Sequence, residues 1–231
     1  MELILCSHLK YNLKIYNLNT NQIVNFIENK EIIWCFDFSY DGRILIYGDN
    51  RGYHHIFNVT ENKLISKNIF YNSYIISIAC TKNVDKIILG YADGTTILYN
   101  SYTKTFIKKN SHKNTVQSIN ICEEKNIFIT SSYNCIINIW NLDNFNLINS
   151  IKQTSETWIY KIVIYKSKYI IYIDSVNEIN IFSLDNFKLI NSIFIPELDV
   201  NDFIIKNNKL IYSTCNYKIV EINLERLLSY K

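Results

Sequence analysis

The sequence predicts an all-β fold in which a four-stranded antiparallel unit is repeated along the chain. Two observations support this: apolar and polar residues alternate in short runs, and strand-closing residues recur at a fixed interval. The alternation is clearest in Val116–Ile121, Ile127–Thr130 and Ile136–Trp140, where β-branched or aromatic residues face one side and polar residues the other. The breaks between these runs contain Asn, which tolerates the left-handed backbone of tight hairpins.

The repeat interval is given by the aromatic or apolar residue that closes the third strand of each unit. These residues are Tyr16, Phe57, Tyr99, Trp140, Phe182 and Ile222, at intervals of 41, 42, 41, 42 and 40 residues. The inward residues of the first strands keep the same period: Ile33/Phe36, Ile75/Ile78, Val116/Ile119, Ile159/Ile162 and Val200/Phe203. A four-stranded unit of about 40–45 residues is the signature of a β-propeller blade.

Taken in order, the units predict one domain, 1–231, with four complete blades between two partial ones. The partial blade 1–27 has strands at Leu3–Cys6, Leu13–Tyr16 and Ile23–Phe26, and the complete blades are 31–70, 73–109, 114–152 and 158–194. The last partial blade, 199–224, has strands at Val200–Ile205, Leu210–Ser213 and Lys218–Ile222, and a short tail 225–231 follows. The first blade lacks an inner strand and the last lacks an outer one. We therefore expect a propeller of about five to six blades with an incomplete ring.

Two explanations for the missing strands stay open. Either a partner donates a strand to the open edges beside Leu3–Cys6 and Lys218–Ile222, or the sequence is a shortened gene product that lacks a first blade.

The composition bears on the class of protein. The apolar fraction of 48% suffices for a core, and no window approaches the ~18 apolar residues of a membrane span. The start of the sequence does not resemble a cleaved signal either. The net charge is only +3 and lysines recur throughout, so we interpret them as solvated, with at most an indirect link to nucleic acid. Six cysteines without C-x-x-C spacing indicate reduced thiols, which favours the cytoplasm, with the nucleus as the alternative.

The residues around Trp140 resemble the WD40 repeat family. His112 precedes the first strand and Trp140-Asn141 closes the third, where the family usually has Trp-Asp; Ser111 replaces the Gly of its Gly-His pair. The resemblance implies a buried structural hydrogen-bond network formed by His112, Thr130 or Ser132, Asn134 and Trp140. Asp93 holds the place of Asn134 one blade earlier, although Tyr71 and Asn72 stand where its His is expected. The other blades lack these residue types at the equivalent positions.

No catalytic motif is visible: there is no nucleophile elbow, phosphate loop or metal-ligand spacing, so we expect no enzyme, cofactor or metal. His54 and His55 are adjacent on a strand and point to opposite faces, which disfavours a shared metal. Trp34 and Tyr160 follow the first inward residue of their blades, at an edge that WD40 rings often use to bind partners. Core packing is the plainer interpretation of both residues, and partner binding is the alternative.

Two blocks, Cys35–Gly42 and Lys86–Ile119, are similar to the middle blades of the i subunits of eukaryotic translation initiation factor three. The similarity covers roughly Cys6 to Ile162 and lacks that family's first blade and its late glycine-rich run, where this chain has Tyr169–Val176. The resemblance implies a non-catalytic scaffold that docks other protein subunits. The alternatives are a WD40 subunit of another eukaryotic assembly, in RNA processing, chromatin or trafficking, and, third, a propeller enzyme.

Overall fold

The computed structural model describes residues 3–8, 12–17, 19–20, 22–133, 135–152, 157–196 and 200–229. Contacts divide the chain into two compact units, one that reaches Ser111 and one that begins at His112. The prediction of a single domain stays a prediction.

The first unit consists of three antiparallel sheets. Sheet A contains β1 (Leu3–His8), β2 (Asn12–Asn17) and β3 (Gln22–Glu28). Sheet B contains β4 (Ile33–Phe38), β5 (Ile44–Asp49), β6 (Tyr53–Asn58) and β7 (Lys63–Ile69). Sheet C contains β8 (Ile75–Cys80), β9 (Lys86–Tyr91), β10 (Thr95–Asn100) and β11 (Thr105–Asn110). Within each sheet, strands that are consecutive in sequence are neighbours.

The second unit also has three antiparallel sheets with strands in sequence order. Sheet D contains β12 (Val116–Cys122), β13 (Ile127–Ser132), β14 (Ile136–Asn141) and β15 (Leu147–Lys152), with a 3₁₀ turn at Glu123–Lys125. Sheet E contains β16 (Ile159–Tyr165), β17 (Tyr169–Asp174), β18 (Glu178–Ser183) and β19 (Leu189–Phe194). Sheet F contains β20 (Val200–Lys206), β21 (Lys209–Thr214) and β22 (Ile219–Asn223), and the helix α1 (Leu224–Ser229) follows it.

The prediction of an all-β chain of antiparallel sheets is confirmed, including the three-stranded sheets A and F. Four of the strand-closing residues, Phe57, Tyr99, Trp140 and Phe182, are buried. Tyr16 and Ile222 are only half-buried. Both lie in three-stranded sheets, and Ile222 lies on the edge strand β22 with no fourth strand beside it in the described part of the chain.

Several tight turns have asparagine at a position where glycine is common. Asn62, Asn126, Asn177 and Asn207 all have positive φ angles of about 50–61°, and Asn accepts this conformation because its short polar side chain bonds locally. The repeated linkers add a less common feature, since Phe145 and Phe187 both have φ 58°. Phe145 is fully buried against Phe128 and Trp140, so packing stabilises the strained backbone.

The core lies between consecutive sheets of each unit. In the first unit, one apolar cluster joins sheets A and B, and a second joins sheets B and C. In the second unit, the equivalent clusters join sheets D and E, and sheets E and F. Each four-stranded repeat has an apolar face that it cannot cover by itself, and the next sheet covers it.

The last residues form an element that the sequence did not predict. Residues 225–231 were interpreted only as a short tail, and Leu224–Ser229 is helical. Leu224 and Leu227 are buried with the cluster of sheets E and F, and the Asn191 side-chain amide on β19 donates to the Leu227 carbonyl at 2.7 Å. None of the helices in the described residues is long and apolar enough to cross a membrane.

Sheets B and C approach each other closely at Gly48 on β5. A Cβ atom placed there would lie 2.6 Å from Ile75 Cγ2 and 3.0 Å from Cys35 Sγ. Both neighbours belong to packed inner strands, so they have little freedom to move aside.

We predict that Gly48→Ala lowers the free energy of unfolding by about 1–3 kcal/mol, because the added methyl overpacks the B–C boundary. Urea denaturation measures this as a lower midpoint at unchanged slope. Ser213→Ala is the matched control, since Ser213 holds the equivalent position of sheet F and already carries a side chain. Equal midpoints for both variants would contradict the close packing described at Gly48.

Candidate protein-binding site

Sheet D of the second unit contains a buried polar network. The Thr130 hydroxyl is 2.7 Å from His112 Nε2, and it accepts a hydrogen bond from Trp140 Nε1 at 3.0 Å. All three side chains are buried. The structure therefore brings together three of the residues that the WD40 resemblance assigned to one network, with Thr130 at its centre. Because indole nitrogen only donates, Thr130 is an obligatory acceptor here.

The other two residues assigned to that network, Ser132 and Asn134, are not seen to contact Thr130 in a described bond. Ser132 donates to the backbone carbonyl of Asn114 at 2.9 Å, which ties the end of β13 to the segment before β12. Asn134 lies outside the described residues. Of the two hydroxyl candidates, Thr130 is the one that contacts the imidazole in a described bond.

Asp93 forms its own network in sheet C. Its carboxylate accepts from the Tyr71 hydroxyl at 2.7 Å, and from the Thr95 backbone N–H at 3.0 Å and hydroxyl at 3.2 Å. Tyr71 thus fills the role for which a histidine was expected. Burial favours the neutral carboxyl, but these hydrogen bonds outweigh it and hold the pKa of Asp93 below its usual value.

Two further networks were missed in the sequence, where sheets B and E were taken to lack one. In sheet B, Asp49 Oδ1 accepts the N–H groups two and four residues later, at Arg51 and Tyr53, and Oδ2 is 3.0 Å from His55 Nε2. Burial raises the pKa of Asp49, but the hydrogen bonds from His55 and the backbone outweigh burial, and the net shift is downward.

Sheet E repeats this arrangement at Asp174. Its Oδ1 accepts the N–H groups two and four residues later, and its Oδ2 accepts from Asn180 Nδ2 at 3.2 Å. The signal was present in the sequence: an Asp lies six residues before a His or Asn, at Asp49–His55 and again 125 residues later.

His54 is one of the buried polar side chains that have no hydrogen-bond partner in the described part of the chain, and the hydroxyls of Tyr91 and Ser131 are others. It is fully buried beside the rings of Phe70 and Tyr99, at centroid distances of 4.6 and 5.5 Å. Neither ring nitrogen has a hydrogen-bond partner among the described residues. Burial lowers the pKa of His54 from 6.5 to about 4, and the neighbouring His55 adds to the shift. Equivalent positions in sheets D and E hold Ile137 and Ile179.

The exposed surface of the second unit carries an aromatic cluster, formed by Tyr133, Trp158 and Tyr160. The Tyr133 ring lies 5.7 Å from Trp158 and 6.2 Å from Tyr160, the latter edge-on at 84°. Trp158 is 53% exposed and Tyr160 37%. The Trp158 backbone donates to Ser175 Oγ and accepts from Ser175 N, both at 2.9 Å, so the β17–β18 turn fixes its position.

The first unit exposes one aromatic residue at the position equivalent to Tyr160. Trp34 lies on β4 and is 54% exposed. Core packing, the plainer interpretation of Trp34 and Tyr160, is therefore wrong: each points away from the inward residue beside it, as alternation along a strand requires. Trp158 and Tyr133 were not singled out in the sequence, although Trp158 lies two residues before Tyr160.

Reactive chemistry is sparse in the described part of the chain. It contains no group of three or more His, Cys, Asp or Glu residues that would hold a metal ion. Cys35, Cys80, Cys122, Cys135 and Cys215 are free thiols. Burial raises the pKa of Cys35, which leaves it a thiol rather than a thiolate.

Comparison with known proteins supports the fold alone. No protein-family model matches the sequence, and no curated protein matches it. Among solved structures, the crystal structure of the computationally designed Ika8 protein has a TM-score of 0.77 at 12% identity, over 93% of this chain. This chain spans 65% of the length of that protein. With 1748 solved chains similar in structure, this β-propeller-like, all-β architecture is common and does not specify an activity.

We predict that His54→Ile stabilises the protein at pH 7, because it replaces an unpartnered buried imidazole with the residue used in sheets D and E. It should also remove a pH dependence. The unfolded His54 takes up a proton near pH 6.5 and the folded one near 4, so wild-type stability is complete at pH 7 and falls as the pH drops through this window.

The loss is on the order of 3 kcal/mol by pH 4. Urea midpoints of wild type and variant, measured from pH 7 to pH 4, isolate this contribution as their difference. A constant difference across the range would contradict it.

We predict that Thr130→Val destabilises the protein by about 1–3 kcal/mol, because it preserves shape but removes the oxygen that His112 and Trp140 share. Thr105→Val on the exposed strand β11 is the matched control and should change the midpoint little. If both variants denature alike, the network makes no net contribution.

Proposed function

We propose that the protein is a non-catalytic scaffold that binds other proteins within a multi-subunit assembly. We further propose a WD40-type β-propeller of about five to six blades with an incomplete ring. The Thr130 network and the forty-residue period support the WD40 assignment.

The exposed aromatic cluster is the observation that carries the binding proposal. Tyr and Trp supply large contact areas with few rotatable bonds, and they are enriched where protein interfaces are strongest. The rings of Trp158 and Tyr160 both contact the Tyr133 ring, and Ser175 fixes the Trp158 backbone, so less freedom is lost on binding.

Translation initiation is the assembly we propose, on the similarity of Cys35–Gly42 and Lys86–Ile119 to the i subunits of initiation factor three. A cytoplasmic location is part of this proposal. An assembly of RNA processing, chromatin or trafficking is the alternative, and a nuclear location would accompany the first two. A propeller enzyme would need clustered carboxylates or a Ser–His pair, and no observation favours it.

Affinity purification with mass spectrometry tests the proposal. We expect wild type to co-purify with a stoichiometric set of protein subunits, and those of initiation factor three would identify the assembly. Trp158→Ala combined with Tyr160→Ala should lose these partners, because it removes the exposed rings. Tyr217→Ala is the matched control, since Tyr217 is 99% exposed in a turn of sheet F, and it should retain them.

Two results would overturn the proposal. One is a wild-type protein that purifies without partners, and the other is a double variant that keeps every partner. Circular dichroism of the variants verifies that each is folded, so that partner loss reports on the surface alone.

A further inference from the structure

The outer strands of the first unit carry an uneven distribution of charge. The described part of the chain has five outer strands, β3, β7, β11, β15 and β19. Together these strands contain five lysines, and four of the lysines lie on β7 and β11, which contain no acidic residue. Lysines that recur throughout the sequence are thus concentrated by the fold along two neighbouring sheets.

Exposed apolar side chains alternate with these lysines. On β7 the order is Lys63, Ile65, Lys67, Ile69, and both isoleucines are exposed, at 54% and 43%. On β11, Phe106 and Ile107 are exposed beside Lys108. A strand that only faces solvent would be polar throughout, and a core strand would not expose its apolar side chains. This pattern fits neither.

Aromatic contacts join the two strands into one surface. Phe70, directly after β7, stacks on Phe106 of β11 with 4.7 Å between ring centroids. Lys108 Nζ lies 3.3 Å from the centroid of the Tyr71 ring. We call this surface, made of β7, Phe70, Tyr71 and β11, the lysine-rich edge.

In the part of the chain that the structure describes, three lysines of the lysine-rich edge are without a carboxylate partner. Within the described residues, Lys63, Lys67 and Lys108 form no ion pair with a carboxylate. Lys67 and Lys108 lie over tyrosine rings instead. The Asp93 carboxylate, which Tyr71 connects to this surface, accepts hydrogen bonds from Tyr71 and Thr95.

Each strand also has a free backbone edge. β7 and β11 are the last strands of their sheets, so one row of N–H and C=O groups on each is not paired within its sheet. Lysines on an edge strand discourage pairing with ordinary apolar strands. The same charges favour a strand that carries carboxylates, because cross-strand pairs of opposite charge are stabilising.

We propose that the lysine-rich edge binds an extended acidic segment of a partner protein, in which Asp or Glu alternates with apolar residues. This names the partner chemistry for the scaffold proposed above and rests on that function. Carboxylates would meet the lysines, apolar side chains would cover the isoleucines and Phe106, and the backbone would add to a free strand edge. Single-stranded RNA fits less well, since Phe106 is stacked on Phe70, Tyr71 is covered by Lys108, and isoleucine offers no ring for a base.

Fluorescence anisotropy on the full chain tests this with a labelled synthetic peptide of alternating glutamate and valine. We expect saturable binding that weakens with added salt, because exposed charges are screened. The same peptide with N-methylated backbone amides should not bind, since it cannot extend a sheet. An oligonucleotide of equal charge, and vesicles of phosphatidylserine, should bind more weakly than the peptide.

Charge reversal locates the site. Lys67→Glu combined with Lys108→Glu should weaken binding by more than about tenfold, because like charges then face each other across the interface. Lys206→Glu combined with Lys218→Glu is the matched control on exposed lysines of sheet F and its turn, and it should bind as wild type does. Equal loss in both pairs, peptide binding unaffected by N-methylation, or tighter binding of the oligonucleotide or vesicles would overturn the inference.

The outcome is separable from that of the scaffold proposal. If partners are captured through Trp158 and Tyr160 but the acidic peptide does not bind, only the proposed role of the lysine-rich edge is contradicted. Peptide binding without captured partners would remove the scaffold proposal and leave an acidic-peptide site.

Discussion

Burial of one sheet's apolar face against the next sheet is the constraint on which the rest of the structure depends. A single repeat of about forty residues, with one hairpin-linked sheet, has too little interior to be stable by itself. Each unit therefore stacks three sheets, and clusters of isoleucine, leucine and aromatic residues fill the spaces between them. The absence of a side chain at Gly48, the strained backbone of Phe145 and the buried third-strand aromatics all follow from that close packing.

Different sheets use different polar residues to fix the same part of the repeat. The end of the second strand and its hairpin must be fixed, and the sheets achieve this with Thr130 and Trp140, with Asp93 and Tyr71, or with Asp49 and His55. In each case one side-chain acceptor is shared by two or more polar groups, which fixes the turns and strand ends that these groups belong to. His54 occupies an isoleucine position and gains no hydrogen-bond partner there among the described residues.

The sequence predicted strands well because β-branched alternation and the repeat period are local properties, legible at Val116–Leu142 without knowledge of any contact. It also located His112, Thr130 and Trp140, whose spacing resembles a known pattern. It could not choose between the two faces for Trp34 and Tyr160, because both are aromatic and either face of a strand accepts an aromatic residue. Nor could it show that lysines distributed over many repeats gather on β7 and β11, since that depends on which strands are outermost.

The linker repeat has a consequence for folding. Strands β15 and β19 begin with the same five residues, and they pair with β14 and β18 in the same register, Ile137 with Ile151 and Ile179 with Ile193. Side chains therefore barely distinguish correct pairing of β14 with β15 from its exchange with β19. Connection length does: the native hairpin closes 5 residues (142–146), and the exchange closes 47 (142–188).

The shorter loop is favoured by about 2 kcal/mol of closure entropy, and it also forms sooner. Chain connectivity, rather than side-chain complementarity, thus selects the right partner for two nearly interchangeable strands. A chain cut or circularly permuted between β14 and β15 would lose that selection and populate exchanged sheets.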